Sequence, residues 1–133
     1  MRTIFLLFVI LVLASCSGSA VSKKLASADS LVITFNAANT DSVLKTVTTT
    51  EKKAIKKLTQ FLAGKESEQF KCGYDGNMTF YSNGQLLLPL VFKYTEKDCR
   101  HFLFDMDNKV MSTKMSNEAA DFLQNLLEGK GVN

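Results

Sequence analysis

The chain has 133 residues, 46% of them hydrophobic, and a formal net charge of +3. So small a basic excess argues against nucleic acid as a partner. The length suits one domain with a substantial core and is too short for two.

The N-terminus reads Met1, Arg2, Thr3, then an unbroken apolar run from Ile4 to Ala14. A basic residue followed by about a dozen apolar ones is the layout of a secretory signal. A membrane-spanning helix would need about 20 apolar residues, and Ser17, Gly18 and Ser19 end this run sooner. It closes on Leu13-Ala14-Ser15-Cys16, a branched apolar residue, two small ones and a cysteine. This resembles the lipobox of bacterial lipoproteins. The resemblance covers residues 1–16 only, and says nothing of the domain that follows. It implies that residues 1–15 are removed, that the Cys16 thiol receives diacylglycerol, and that the new amino group is acylated. Two or three acyl chains hold a protein on a membrane where one does so only marginally. Ser17 is not the aspartate associated with inner-membrane retention, and no acidic cluster follows Cys16. The resemblance therefore favours the cell envelope, at an outer membrane and facing the periplasm.

If Cys16 carries lipid, Cys72 and Cys99 are left as a pair in an oxidising compartment, where thiols tend to be bridged. A zinc site built on Cys72, Cys99 and His101 is the competing reading. Zinc takes four ligands, or three at a catalytic site, and His101 is the only histidine. The disulfide is preferred, and no metal or cofactor is expected.

Residues 16–29 form the lipidated N-terminus and a Ser-, Ala- and Lys-rich stretch without apolar periodicity, predicted to be a flexible tether. Residues 30–133 form the domain. Leu31 to Phe35 reads as a strand, residues 36–42 as a loop, and Val43 to Thr48 as a second strand. Thr49 or Thr50 is expected to cap a helix with Glu51 in its first turn. Ala54, Ile55, Leu58, Phe61 and Leu62 recur at three- and four-residue spacing along it, and Gly64 stops it. Lys52, Lys53, Lys56 and Lys57 mark its opposite, solvated face. Phe70 to Gly76 carries two glycines and an aspartate and reads as a turn or bulge. Asn77 to Ser82 and Gln85 to Tyr94 pair across Asn83-Gly84, a two-residue hairpin turn. Pro89 points to an edge position or a bulge within the second of these strands. Arg100 to Asp105 alternates, with Phe102 and Phe104 on one face. Asp107-Asn108 turns the chain into Lys109 to Met115. Ser116 caps a last helix with the stripe Ala119, Phe122, Leu123, Leu126 and Leu127.

Hairpin turns between consecutive strands require an antiparallel sheet, and two one-sided helices need one face of it to cover. The expected fold is a two-layer α+β domain of five to six strands, with both helices on the face carrying Phe102, Phe104 and Met111. In an uninterrupted two-residue register, the hairpin places Met78, Phe80, Leu87 and Val91 on one side. Tyr81, Leu86, Leu88, Leu90 and Phe92 fall on the other. Both cannot lie beneath the same helices. Either a bulge near Pro89 switches the face, or the N-terminal segment covers the second set, or that set stays open as a candidate binding surface.

No nucleophile–base arrangement, phosphate loop or metal motif stands at recognisable spacing, so no catalytic residue is assigned. The expected function is a non-catalytic binding module in the envelope, taking another envelope protein or a small ligand. The alternatives are a structural role in envelope maintenance and an enzyme built on His101.

Overall fold

A computed structural model describes residues 19–69 and 71–130. Cys16 and the rest of the signal segment lie outside the described residues. The elements run α1 (Ala20–Lys24), β1 (Ser30–Asn36), β2 (Val43–Thr49), α2 (Lys52–Leu62), β3 (Gly76–Ser82), β4 (Gln85–Lys93), a 3₁₀ turn (Lys97–Cys99), β5 (His101–Met106), β6 (Lys109–Lys114) and α3 (Asn117–Leu127). The six strands form one open sheet in the order β2-β1-β3-β4-β5-β6. Every neighbouring pair is antiparallel. The expected α+β layout is therefore the observed one. Since β2 and β3 both run antiparallel to β1, they are parallel to each other, and a parallel connection needs a crossover. The helix α2 is that crossover.

The two hairpin turns form where Asn-Gly and Asp-Asn place residues with positive φ. Asn83 and Gly84 lie at 50° and 77°, and Asp107 and Asn108 at 52° and 63°. Paired positive φ values match the right-handed twist of the flanking strands. The helix starts differ from each other. Ser116 Oγ accepts from Ala119 N at 3.1 Å and caps α3 as expected. The expected threonine cap of α2 is absent. Glu51 is itself the N-cap and makes no side-chain capping bond, while Thr49 Oγ1 accepts from Glu51 N instead.

The core lies between the helices and one sheet face. Leu31, Ile33 and Phe35 of β1, Met78 and Phe80 of β3, and Phe102 and Phe104 of β5 are buried there with Leu58, Leu62 and Leu123 of the helices. Buried and less buried side chains alternate along β1 and β3, as one-sided burial requires. At Gly76 an added Cβ would collide with Thr34 O and the Phe92 ring, so this glycine permits the close approach of the β1 backbone and the Phe92 side chain of β4.

Two expectations are corrected. Residues 20–25 are not part of a tether. Ser19 Oγ accepts from Ser22 N to start α1, and Val21 and Leu25 are buried in the core beside α2. Two apolar residues four apart suffice to dock one helical turn. The second correction concerns the candidate binding surface, because the bulge expected near Pro89 is present. Phe80 pairs with Leu88 but Tyr81 pairs with Leu86, which leaves Leu87 as an extra residue in β4. This bulge shifts the register by one and turns every following side chain over. Leu88, Leu90 and Phe92 consequently join Met78 and Phe80 beneath the helices and are buried. They cannot form an open binding surface. Pro89 lies two residues beyond the bulge, and pairing of β4 with β5 begins only at Leu90. A residue without an N–H is tolerated there because that side of β4 is locally an edge.

Candidate functional site

Two regions of the sheet face turned away from the helices could carry function. The first is the open face itself. Asn77, Thr79, Pro89, Val91, Leu103 and Val110 border a groove of about 400 Å³ on it. Val110 is 51% exposed, while Val91 and Leu103 are partly covered. Of the five residues expected to form a binding surface, Tyr81 and Leu86 do lie on this face, paired with each other beside the turn. Tyr81 is half-buried and Leu86 is 59% exposed. The bulge exchanges the other three for Val91 and its neighbours. Polar Asn77, Thr79 and Asp105 flank the apolar floor. Such a surface offers shape and apolar contact with a few hydrogen-bonding groups.

The second region is the corner where the β1–β2 loop, residues 71–75 and residues 94–99 fold over the end of β4. Cys72 and Cys99 are bridged there, with Cα atoms 6.2 Å apart and a sequence separation of 27. The bridge joins the approach to β3 with the turn entering β5. Beneath it, Lys93 is fully buried and Asp75 nearly so, and Lys93 Nζ donates to Asp75 Oδ1 at 3.0 Å. The ammonium also lies 3.4 Å from Glu96 Oε1 and donates to Asn39 Oδ1 at 3.3 Å. Asp75 accepts in addition from Tyr94 N at 2.8 Å and Thr95 N at 2.9 Å, and from the Thr95 hydroxyl. Burial pushes the Asp75 carboxyl up. The hydrogen bonds from Thr95 N, Tyr94 N, Lys93 and the Thr95 hydroxyl outweigh that, and the carboxyl is held below its ordinary value. Gly73 has φ of +75°, and a side chain there would collide with the Asn39 amide that reaches Lys93.

The bridge is the one expected from the sequence, but the ion pair beneath it was not found there. Lys93 follows an apolar strand and Asp75 sits in a glycine-flanked turn, so each carried a weak local signal. Nothing in an 18-residue separation connects them. The cluster is chemically saturated: both charges are paired and hydrogen-bonded, which is what a buried ion pair needs to persist. It fixes the loops rather than offering a reactive group.

His101 belongs to the same corner. It is fully buried, its Nδ1 donates to Cys99 O at 2.7 Å, and its ring lies 6.2 Å from that of Tyr74. In this arrangement the imidazole has no exposed atom with which to meet a substrate. The one metal-like grouping among the described residues is Cys72, Glu96 and Cys99. Its two sulfurs are bonded to each other, so Glu96 alone retains a free ligand atom, and that carboxylate already faces Lys93. No helix among the described residues is long and apolar enough to cross a membrane.

No protein-family model matches the chain, and no curated protein or solved structure matches it.

Proposed function

We propose that the protein is a bacterial lipoprotein, anchored in the cell envelope through lipid on Cys16, whose domain is a non-catalytic binding module. Its ligand surface is the open sheet face, and the ligand is another envelope protein or a small molecule. The observation that carries this reading is the part of the outer sheet face that neither helices nor the bridged corner cover, with a groove lined by Val91, Leu103 and Pro89 and by exposed Val110. Two-layer α+β domains bury one sheet face under helices. An apolar groove on the other face is a surface awaiting a partner. The lipobox-like Leu13-Ala14-Ser15-Cys16 supplies the address. The bridged Cys72–Cys99 pair supports an oxidising compartment, such as a periplasm beneath an outer membrane.

The test is photo-crosslinking in intact cells, with the reactive amino acid placed at position 103 or 110 and, for comparison, at position 121 on the exposed side of α3. The proposal expects one discrete adduct from the sheet positions and none from position 121. Adducts that are identical from all three positions, or arise only from position 121, would refute the open face as the ligand surface.

A further inference from the structure

Ser19 is the N-cap of α1, and only Ser17 and Gly18 separate it from Cys16 in sequence. Three residue steps span at most about 10 Å even when fully extended. A lipid on Cys16 therefore keeps the start of α1 within ~10 Å of the bilayer surface. That distance is comparable to the ~8 Å over which surface charge is felt at physiological ionic strength. The domain is thus pressed against the membrane rather than lifted off it, and the question becomes which surface it presents.

Charge on the helix layer answers this. Ser19 contacts Ser22 through their hydroxyls at 2.9 Å. Ser22, Leu25 and Ala26 line a groove between α1 and α2 together with Lys52 and Lys56 of α2. Lys23 and Lys24 are exposed on α1, and Lys52, Lys53 and Lys56 are exposed on α2. Because α1 packs against α2, the exposed lysines of the two helices lie on adjoining parts of the helix layer, with Asp29 the one acidic residue in the groove between them. The far side of the layer has the opposite sign. The α3 helix holds Glu118 and Asp121 and no basic residue. Lys57 turns toward it, 3.6 Å from Glu118 and 5.5 Å from the centre of the Phe122 ring.

We infer that the α1–α2 surface is a lipid-docking face, on which the anchored domain rests against an anionic bilayer through Lys23, Lys24, Lys52, Lys53 and Lys56. The inference rests on the proposed lipidation of Cys16. Each lysine near an anionic surface favours the docked state about fivefold, so the five together select this orientation over one presenting the acidic α3 side. The helices and the open sheet face are on opposite sides of a two-layer domain. Docking through α1 and α2 therefore turns the groove at Val91 and Leu103 toward the aqueous compartment.

The test uses the mature lipoprotein, purified with its lipid and reconstituted into vesicles of phosphatidylcholine alone or of phosphatidylcholine and phosphatidylglycerol in equal parts. Acetylation rates are read lysine by lysine by mass spectrometry, and the same digests report whether Cys16 carries lipid. The expected result is a several-fold slowing at the five docking lysines on the anionic vesicles only, reversed by added salt, with Lys97, Lys109 and Lys114 unchanged. In a Lys52→Gln, Lys53→Gln, Lys56→Gln variant, docking should weaken about a hundredfold, and Lys23 and Lys24 should regain their rates. Lipidated protein with equal rates on both vesicles, or with slowing at Lys109 and Lys114 instead, overturns the docking face alone. An unmodified Cys16 overturns the anchor and the docking face together.

Discussion

Replacing Asp75 with asparagine separates the buried ion pair from every other contribution to this fold. The substitution keeps the shape and removes the charge. Four donors converge on the carboxylate: the Lys93 ammonium, Tyr94 N, Thr95 N and the Thr95 hydroxyl. An amide meets them with one oxygen and one NH2 group, so a donor is turned toward a donor. Lys93, with no exposed surface, keeps the Asn39 amide oxygen at 3.3 Å and Glu96 at 3.4 Å, and Glu96 is 52% exposed and weakened by solvent. Breaking a buried pair by removing one partner costs about 3–5 kcal/mol, and the surviving Glu96 contact places this case near ~3 kcal/mol. Lys93→Met should cost less, about 1–2 kcal/mol, because the carboxylate retains its three other donors and the chain of the methionine fills the site. Urea unfolding at pH 7 with the disulfide intact measures both. The acid limb supplies the sign. The folded Asp75 carboxyl lies below its ordinary value. Its stabilisation is therefore present above the unfolded pKa of about 3.9 and is lost as pH falls through the folded value. The gap between wild type and Asp75→Asn should be full at neutral pH and close in acid. If Lys93→Met proves the more damaging change, or if Asp75→Asn costs under ~1 kcal/mol, the reasoning about this corner is wrong.

Other outcomes follow from the same structure. A Cys72→Ser, Cys99→Ser double variant should lose roughly 3.6 kcal/mol by the loop-closure entropy of the bridged segment, seen as a lower midpoint in urea. Leu88→Ala should cost about 2–5 kcal/mol as a core cavity, whereas Leu86→Ala should stay within about 0.5 kcal/mol; equal losses in thermal or urea unfolding would contradict the bulge at Leu87. Ser116→Ala should cost about 1 kcal/mol through the lost cap of α3, and Thr50→Ala should be near neutral because α2 has no side-chain cap. Comparing the unfolding midpoints of these two variants checks that asymmetry.

The parts legible in the sequence are those whose cause is local. Asn83-Gly84 and Asp107-Asn108 announce their turns because few residue types tolerate positive φ. The stripes of α2 and α3 announce a shared core, and Ser116 marks its helix start. The bulge was not legible at its true place because Leu86, Leu87 and Leu88 are identical in chemistry. Any one of the three fits the extra position, and the structure has it at Leu87. The extra residue turns Leu88, Leu90 and Phe92 into the core, so three of the five candidate surface residues were misassigned. The α1 turn was missed because Val21 and Leu25 are too few to show a period, and their burial depends on α2. The Asp75–Lys93 pair was missed because its partners meet only after β3 and β4 have paired.

The most direct measurement of the whole account is the mass of the N-terminal peptide of the protein recovered from cell membranes. The account predicts a peptide beginning at Cys16 and heavier than its sequence by a diacylglyceryl group and an acyl chain. A peptide that begins at another residue and carries no lipid would contradict it, and would remove the basis for the anchor and the docking face together.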